Sequence, residues 1–307
     1  MIGLISALPG AVAQGLIWGI AAIGVYLTYR ILDIADLTVD GTICTGAAVC
    51  TMMILAGCNP ILSIIVAVIA GAIAGTVTGL LYIVLGIPAI LSGILTQMIL
   101  WSVNLKILGT SNQALSARNN SVILTQMNIP TAIIVLAIIA AVVIALLYMF
   151  FGTEIGCSIR ATGSNEVMSR AQGINTNMTK IIGLALSNAM VALSGALLCQ
   201  YQGFTDINMG RGAVVIGLAA VVIGEAIVKR ISTNFAVRLT GVAVGAIVYY
   251  IVYQVIIFLG VDTDLLKMLS AFVVAVFLGV PYIKNKVQAS HKVAKNTKKP
   301  KGEIKNA

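Results

Sequence analysis

Apolar runs of about twenty residues recur along almost the whole chain, and about twenty residues is the length at which a helix crosses bilayer hydrocarbon. Lipid offers no partners to backbone amides and carbonyls, so a spanning segment must satisfy them itself, as a helix or within a closed barrel. These runs are continuous rather than alternating, which selects helices. The expected fold is therefore all-α, a polytopic helical membrane protein. Composition supports this, since 59% of the residues are hydrophobic against about 45–50% in soluble domains.

Nine spans are expected. They are about Leu8–Tyr29, Thr42–Ala56, Ile61–Leu85, Ala89–Leu108, Pro130–Phe151, Ile181–Tyr201, Gly212–Val228, Phe235–Leu259 and Leu265–Ile283. Gly71, Gly75 and Gly79 recur four apart in the third, which puts them on one face for close helix packing. Residues 1–283 form the membrane domain, and residues 284–307 a basic cytoplasmic tail expected to be disordered. Of the nineteen basic residues, eight lie in that tail. The net charge of +9 is therefore read as an orientation signal lying against anionic membrane lipid, not as nucleic-acid binding. With the C-terminus inside, fifteen basic residues fall inside and four outside or near it, so an N-out, C-in topology is expected. No basic residue precedes Arg30, so the first span is expected to be retained rather than cleaved as a signal peptide.

An internal echo accompanies this layout. Asp36-Leu37-Thr38-Val39 resembles Asp206-Ile207-Asn208-Met209, and Gly41 and Gly46 then correspond to Gly212 and Gly217 after a one-residue offset. An inverted repeat of spans 1–4 on spans 6–9 accounts for the echo, with a solute path between the copies. Chance likeness between glycine-rich spans accounts for it equally.

The central polar interruption, residues 152–180 after Phe151, stands apart in a chain with only 9% charged residues. Within it Ser164–Gln172 is predicted to be a short helix. Ser164 or Asn165 caps its first amides, Glu166 sits in the first turn, and Gly173 stops it. Such a helix between two spans suits docking of a soluble partner on the cytoplasmic side.

Catalytic chemistry finds no support. There is no Gly-Lys pair for a phosphate-binding loop, no HExxH, no GxSxG and no metal-ligand cluster. The single histidine, His291, lies in the tail, and Cys44, Cys50, Cys58, Cys157 and Cys199 form no CxxC pair. An enzyme is not expected, nor a metal site, nor a cofactor in this chain. Energy for uphill movement would come from a partner or from an ion gradient. Candidate path residues are Asp40, Thr42, Gln97, Asn104, Asn188 and Glu225, although solvated helix-terminal carboxylates explain Asp40 and Glu225 as well and interhelical hydrogen bonds explain the amides.

The pattern Gly156-x-x-Ile159-Arg160-Ala161-x-Gly163-x-Asn165, then Arg170-Ala171-x-Gly173-Ile174-Asn175, then Ser194-Gly195-Ala196 and Ala219-Ala220-Val221-Val222-Ile223-Gly224, resembles the permease subunits of ABC importers. The group is the branched-chain amino acid and ribose permease family, and the likeness is greatest to a subgroup serving tryptophan- and tyrosine-type uptake. Leu37-Thr38-Val39-Asp40-Gly41-Thr42 and Ile87-Pro88-Ala89 fit the same family. Glu225 departs from it, standing where the family more often has a second glycine after Gly224.

The resemblance implies a multi-pass protein of the bacterial cytoplasmic membrane, acting as a dimer of permeases and most simply as a homodimer. Two cytoplasmic ATPase subunits, which hold the ATP and magnesium, and an extracytoplasmic solute-binding protein complete the system. It further implies that Ala161–Ile174 holds the coupling helix, with Met168 and Ile174 as apolar contacts and Arg160 and Arg170 facing acidic or carbonyl groups; Gly163, Asn165, Ala171 and Gly173 belong to the same segment. An ion-coupled carrier working alone, or a membrane receptor without solute flux, are the competing classes.

Overall fold

The computed structural model describes residues 2–116, 121–228 and 234–259, with isolated positions 268, 271, 272, 275 and 279. Residues 1–261 form one compact unit and 262–307 another. The expected ninth span and the basic tail belong to the second and lie almost wholly outside the described residues.

The helices are α1 (Ile2–Tyr26), which runs on through a π-helical turn at Leu27–Ile31, α2 (Val39–Leu55), α3 (Pro60–Ile83), α4 (Ala89–Leu108), α5 (Ile129–Phe151), α6 (Glu154–Ser164), α7 (Glu166–Ala171), α8 (Thr176–Gln202), α9 (Ala213–Val228) and α10 (Phe235–Phe258). Local chemistry sets many of the ends. Asn59 caps α3 by accepting from the Ile61 amide, with Pro60 in the first turn. Gly109 ends α4 in the left-handed conformation, at φ 71°.

Among the described residues, six helices are long and apolar enough to cross a membrane: α1, α3, α4, α5, α8 and α10. The expected second and seventh spans are instead short helices, α2 with 17 residues and α9 with 16. At 1.5 Å per residue each reaches only about 25 Å, less than the roughly 30 Å of bilayer hydrocarbon.

The bundle has a clear inside. The apolar windows of α1 and α8 are 83% and 72% buried, whereas those of α3, α4 and α5 are 33%, 28% and 22% buried. The exposed faces of the latter are Ile, Leu, Val and Met, such as Ile65, Ile69, Ile73, Ile134, Ile138 and Leu146. Such faces suit lipid.

The glycine stripe of α3 does what its spacing predicts. A methyl group at Gly71 would strike the Asn188 backbone and Ala192, one at Gly75 the Leu184 carbonyl, and one at Gly79 would crowd Ile181. The two backbones approach closely along the whole stripe, as small residues allow in membrane helices. Hydroxyls add cross-links that the sequence does not advertise. Ser187 donates to the Gly24 carbonyl at 2.7 Å and Ser194 to that of Ile17 at 2.8 Å, joining α8 to α1.

The fold is not wholly helical. β1 (Asn112–Ala114) pairs antiparallel with β2 (Phe204–Asp206) in the register Asn112↔Asp206, Gln113↔Thr205 and Ala114↔Phe204. Leu115, just after β1, is buried with Ala47, Cys50, Ile54, Ala196 and Cys199. The ribbon thus clamps the α4–α5 connection onto the ends of α2 and α8, at the end of α8 away from α6 and α7.

Candidate functional site

Two regions carry the candidate residues: a helical hairpin at one end of α8 and a polar cluster about half-way along it. In the hairpin, the helix predicted over Ser164–Gln172 is α7, Glu166–Ala171, and a further helix, α6, precedes it across a break at Asn165. Ser164 closes α6. Asn165 caps α7, its Oδ1 accepting from the Met168 amide at 3.0 Å. Gly173 ends α7 at φ 83°. The Ile174 amide donates to the Ser169 carbonyl and the Gly173 amide to that of Arg170, both at 3.0 Å. That pair is the Schellman arrangement, which demands a residue at ease with positive φ. Asn175 then caps α8 through the Met178 amide, so α8 starts five residues before the expected Ile181.

Gly163 has a packing role. Any side chain there would collide with the Ile31 carbonyl, so α6 lies directly on the π-helical turn that ends α1. Thr162 and Thr179 share a hydrogen bond at 2.9 Å, tying α6 to α8. Glu166 holds α7 in the same way. One of its oxygens accepts from Lys180 of α8 at 2.7 Å and the other from Arg170 at 2.7 Å. Lys180 also lies over the ring of Tyr82 at the end of α3, 5.1 Å from its centre. Arg170 is engaged further, donating to Thr176 at 2.7 Å. Arg160 lies over the Phe235 ring of α10 at 5.6 Å. Ala171 is exposed and Ile174 and Ala161 are half-buried. What α7 turns outward is apolar: Val167 is 79% exposed and Met168 59%. Val167 escapes the sequence reading, which singles out Met168 and Ile174.

The hydrogen bond from Lys180 holds the Glu166 carboxyl below the usual carboxylate range, with help from the charges of Lys180 and Arg170. A depressed carboxyl stabilises the fold above its unfolded pKa, and that contribution is lost as pH falls through its folded value. α7 is therefore expected to keep its amide-exchange protection from neutral pH down to about pH 4.3, the ordinary glutamate value, and to lose it below. Glu166→Gln loosens α7 already at neutral pH. Hydrogen exchange of residues 166–172 checks both; unchanged protection in the variant refutes the link.

About half-way along α8, Asn188 joins three elements. It accepts from the Thr42 hydroxyl at 2.7 Å and donates to Asp36 at 2.7 Å. Asp36 in turn accepts from the Thr38 amide at 2.9 Å, and the Thr38 hydroxyl meets that of Thr78 in α3 at 2.8 Å. Asp36 is buried and belongs to no helix. It was visible in sequence only as the first residue of the internal echo.

Asp40 is a few residues on. Its carboxylate accepts from the amides of Gly212 and Val214, each at 3.0 Å, and so caps the start of α9. The N-termini of the two short helices therefore meet in the interior. Asp40, Gln97 and Asn104 line one cavity of about 570 Å3, together with Trp101 and Arg211. Thr42 and Asn188 belong to the neighbouring Asp36 network. Glu225 stands elsewhere, in an ion pair with Arg30 at 2.8 Å that joins α9 to the end of α1.

A helix bundle with lipid-suited faces, an open-sided cavity beside two short helices and a hairpin that exposes Val167 and Met168 at one end suit a membrane transport subunit. Residues 8–280 match the family described as branched-chain amino acid transport system, permease component. The chain belongs to that family, and it is a transporter subunit of the cell membrane rather than an enzyme. It is 37% identical over 278 residues to the tyrosine transport system permease protein of Clostridioides difficile, covering 91% of each chain. An uncharacterized protein of Rickettsia prowazekii is 32% identical over 87% of this chain and 95% of its own. The ribose import permease protein of Escherichia coli is 28% identical over 151 residues, 48% of this chain and 44% of that one. Among solved structures, PsaBC from Streptococcus pneumoniae in complex with Fab covers 83% of this chain at 18% identity, with a TM-score of 0.39, too distant to carry an argument.

Proposed function

We propose that the chain is the membrane-spanning permease of an ATP-driven ABC importer, forming the path for an amino acid, aromatic cargo included. An extracytoplasmic binding protein delivers the solute, a second permease copy completes the path, and a cytoplasmic ATPase holding ATP and magnesium drives it. Similarity to a tyrosine transport permease supports the amino-acid cargo. The observation that carries the energy coupling is α7, a capped helix that turns Val167 and Met168 outward while Glu166 locks it to Lys180.

Motion imposed on α7 would travel by contact. Glu166 and Lys180 pass it to the start of α8; Thr162 and Gly163 pass it through α6 to α8 and the end of α1. Asn188 carries movement of α8 to Thr42 and thus α2. Asp40 couples α2 to α9. The path opens or closes where those two short helices meet.

Two features support the inverted repeat of spans 1–4 on 6–9. Asp36 accepts from the Thr38 amide and Asp206 from the Asn208 amide, each two residues on, and each turn precedes a short helix. Short segments at matching positions of two repeats are the expected mark of a solute path. Nine spans with N-out, C-in topology, in which α2 and α9 each cross together with the non-helical segment that leads into it, put α7 in the cytoplasm.

Reconstitution tests the reading. Proteoliposomes holding this permease, its ATPase and the binding protein are expected to take up amino acid only with ATP. Uptake by this chain alone, driven by a proton or sodium gradient, would replace the proposal with the ion-coupled carrier.

A further inference from the structure

We propose that the cavity at the meeting of α2 and α9 is a binding seat within the permease for a zwitterionic α-amino acid with a large apolar or aromatic side chain. The inference rests on the transport reading above and adds a recognition site to it, where the sequence alone suggests that recognition belongs mainly to the binding protein.

The carrying observation is Asn104. It is 1% exposed, and its Nδ2 donates to the Gly41 carbonyl at 3.3 Å. A carbonyl only accepts, so the nitrogen must face Gly41 and the oxygen must face the other way. That Oδ1 has no hydrogen-bond partner among the described residues. A buried acceptor without a donor costs free energy, and Asn104 is among the residues that line a cavity of about 570 Å3, within the usual size range of small-molecule sites. The missing partner is a donor, which an ammonium group supplies.

The rest of the lining divides by charge. Asp40 spends two hydrogen bonds on the start of α9, yet a carboxylate has about four lone-pair sites, leaving capacity for the same ammonium. Arg211 lines the cavity and makes no ion pair among the described residues. Its planar guanidinium matches a carboxylate in two parallel bonds. Trp101, 45% exposed, and Met98 offer an apolar wall. A neutral sugar would satisfy Asn104 and Gln97 but leave the charges of Asp40 and Arg211 unmatched. A zwitterion matches both.

The test uses the full-length permease in lipid nanodiscs, without ATPase or binding protein, and radiolabelled L-tyrosine. Saturable binding is expected. Tyramine, which lacks the carboxylate, and 3-(4-hydroxyphenyl)propionate, which lacks the ammonium, should each compete at least tenfold more weakly. D-ribose in hundredfold excess should not compete. Arg211→Gln should weaken L-tyrosine at least tenfold and leave tyramine unchanged, with Arg211→Lys recovering part of the loss. Asn104→Leu should weaken L-tyrosine at least tenfold and leave the propionate unchanged. Those selective losses separate recognition from damage to the fold. Absent binding, competition by ribose, or an unchanged tyrosine-to-tyramine ratio in Arg211→Gln overturns the seat. Co-purification of the same permease with its ATPase is read in parallel: if it holds while binding is absent, the seat alone is wrong, and if it fails, the transport reading falls and the seat with it.

Discussion

Replacing Val167 and Met168 together by Asp is expected to cut ATP-driven uptake at least a hundredfold and to release the ATPase from the purified complex. Both side chains project from α7 away from the rest of the bundle. In the isolated permease their replacement costs little, since exposed substitutions away from caps and cores usually stay within about 0.5 kcal/mol. In the complex, two carboxylates would enter an apolar contact, and a hundredfold loss needs only about 2.7 kcal/mol. Circular dichroism and thermal unfolding of the permease should match wild type while transport vanishes. Uptake within twofold of wild type would remove α7 from the coupling path.

Asn188→Leu is expected to strike the interior instead. It leaves Thr42 only the Thr38 carbonyl as acceptor, at 3.1 Å, and strips Asp36 of a 2.7 Å donor. Asp36 keeps the Thr38 amide but has lost one of its buried partners. Leaving a buried polar group unmatched costs about 1–3 kcal/mol, more if it is charged, so a loss of about 2–3 kcal/mol in detergent is expected, together with loss of uptake. Adding Asp36→Asn should recover part of that stability, because the charge is gone while the acceptor for Thr38 remains. If the double variant is no better than the single, the network is not what holds α2 against α8.

Much of this arrangement was legible beforehand. Ala89–Leu108 is α4 to the residue, and Gly71, Gly75 and Gly79 meet α8 as their spacing requires. Long apolar periodicity and caps are local signals, and local signals are read well. What escaped depends on distant partners. The ribbon of Asn112–Ala114 with Phe204–Asp206 has no strand composition and arises only because two loops meet. In the hairpin, Asn165 is one of the two caps the sequence offers and the geometry selects it over Ser164, whereas α6 ahead of it escaped the reading. Of the path candidates, Asp40, Gln97 and Asn104 come together at one cavity, but nothing in their spacing reveals that Arg211 joins them or that Glu225 is held by Arg30 instead. No sequence signal ties Val167 to the exposed face, beyond its place beside Met168.

The bonds from Asn188 to Thr42 and Asp36 bridge 146 and 152 residues. At roughly 5–20 residues per second of synthesis, on the order of ten seconds separates the emergence of Asp36 from that of its donor. A nascent chain that has delivered α1 and α2 to the translocation machinery must therefore keep that carboxylate hydrated, or shielded by the insertion apparatus, until α8 arrives. The first half of this protein is biosynthetically unfinished business, and a ribosome stalled before Asn188 would leave a ready substrate for membrane quality control.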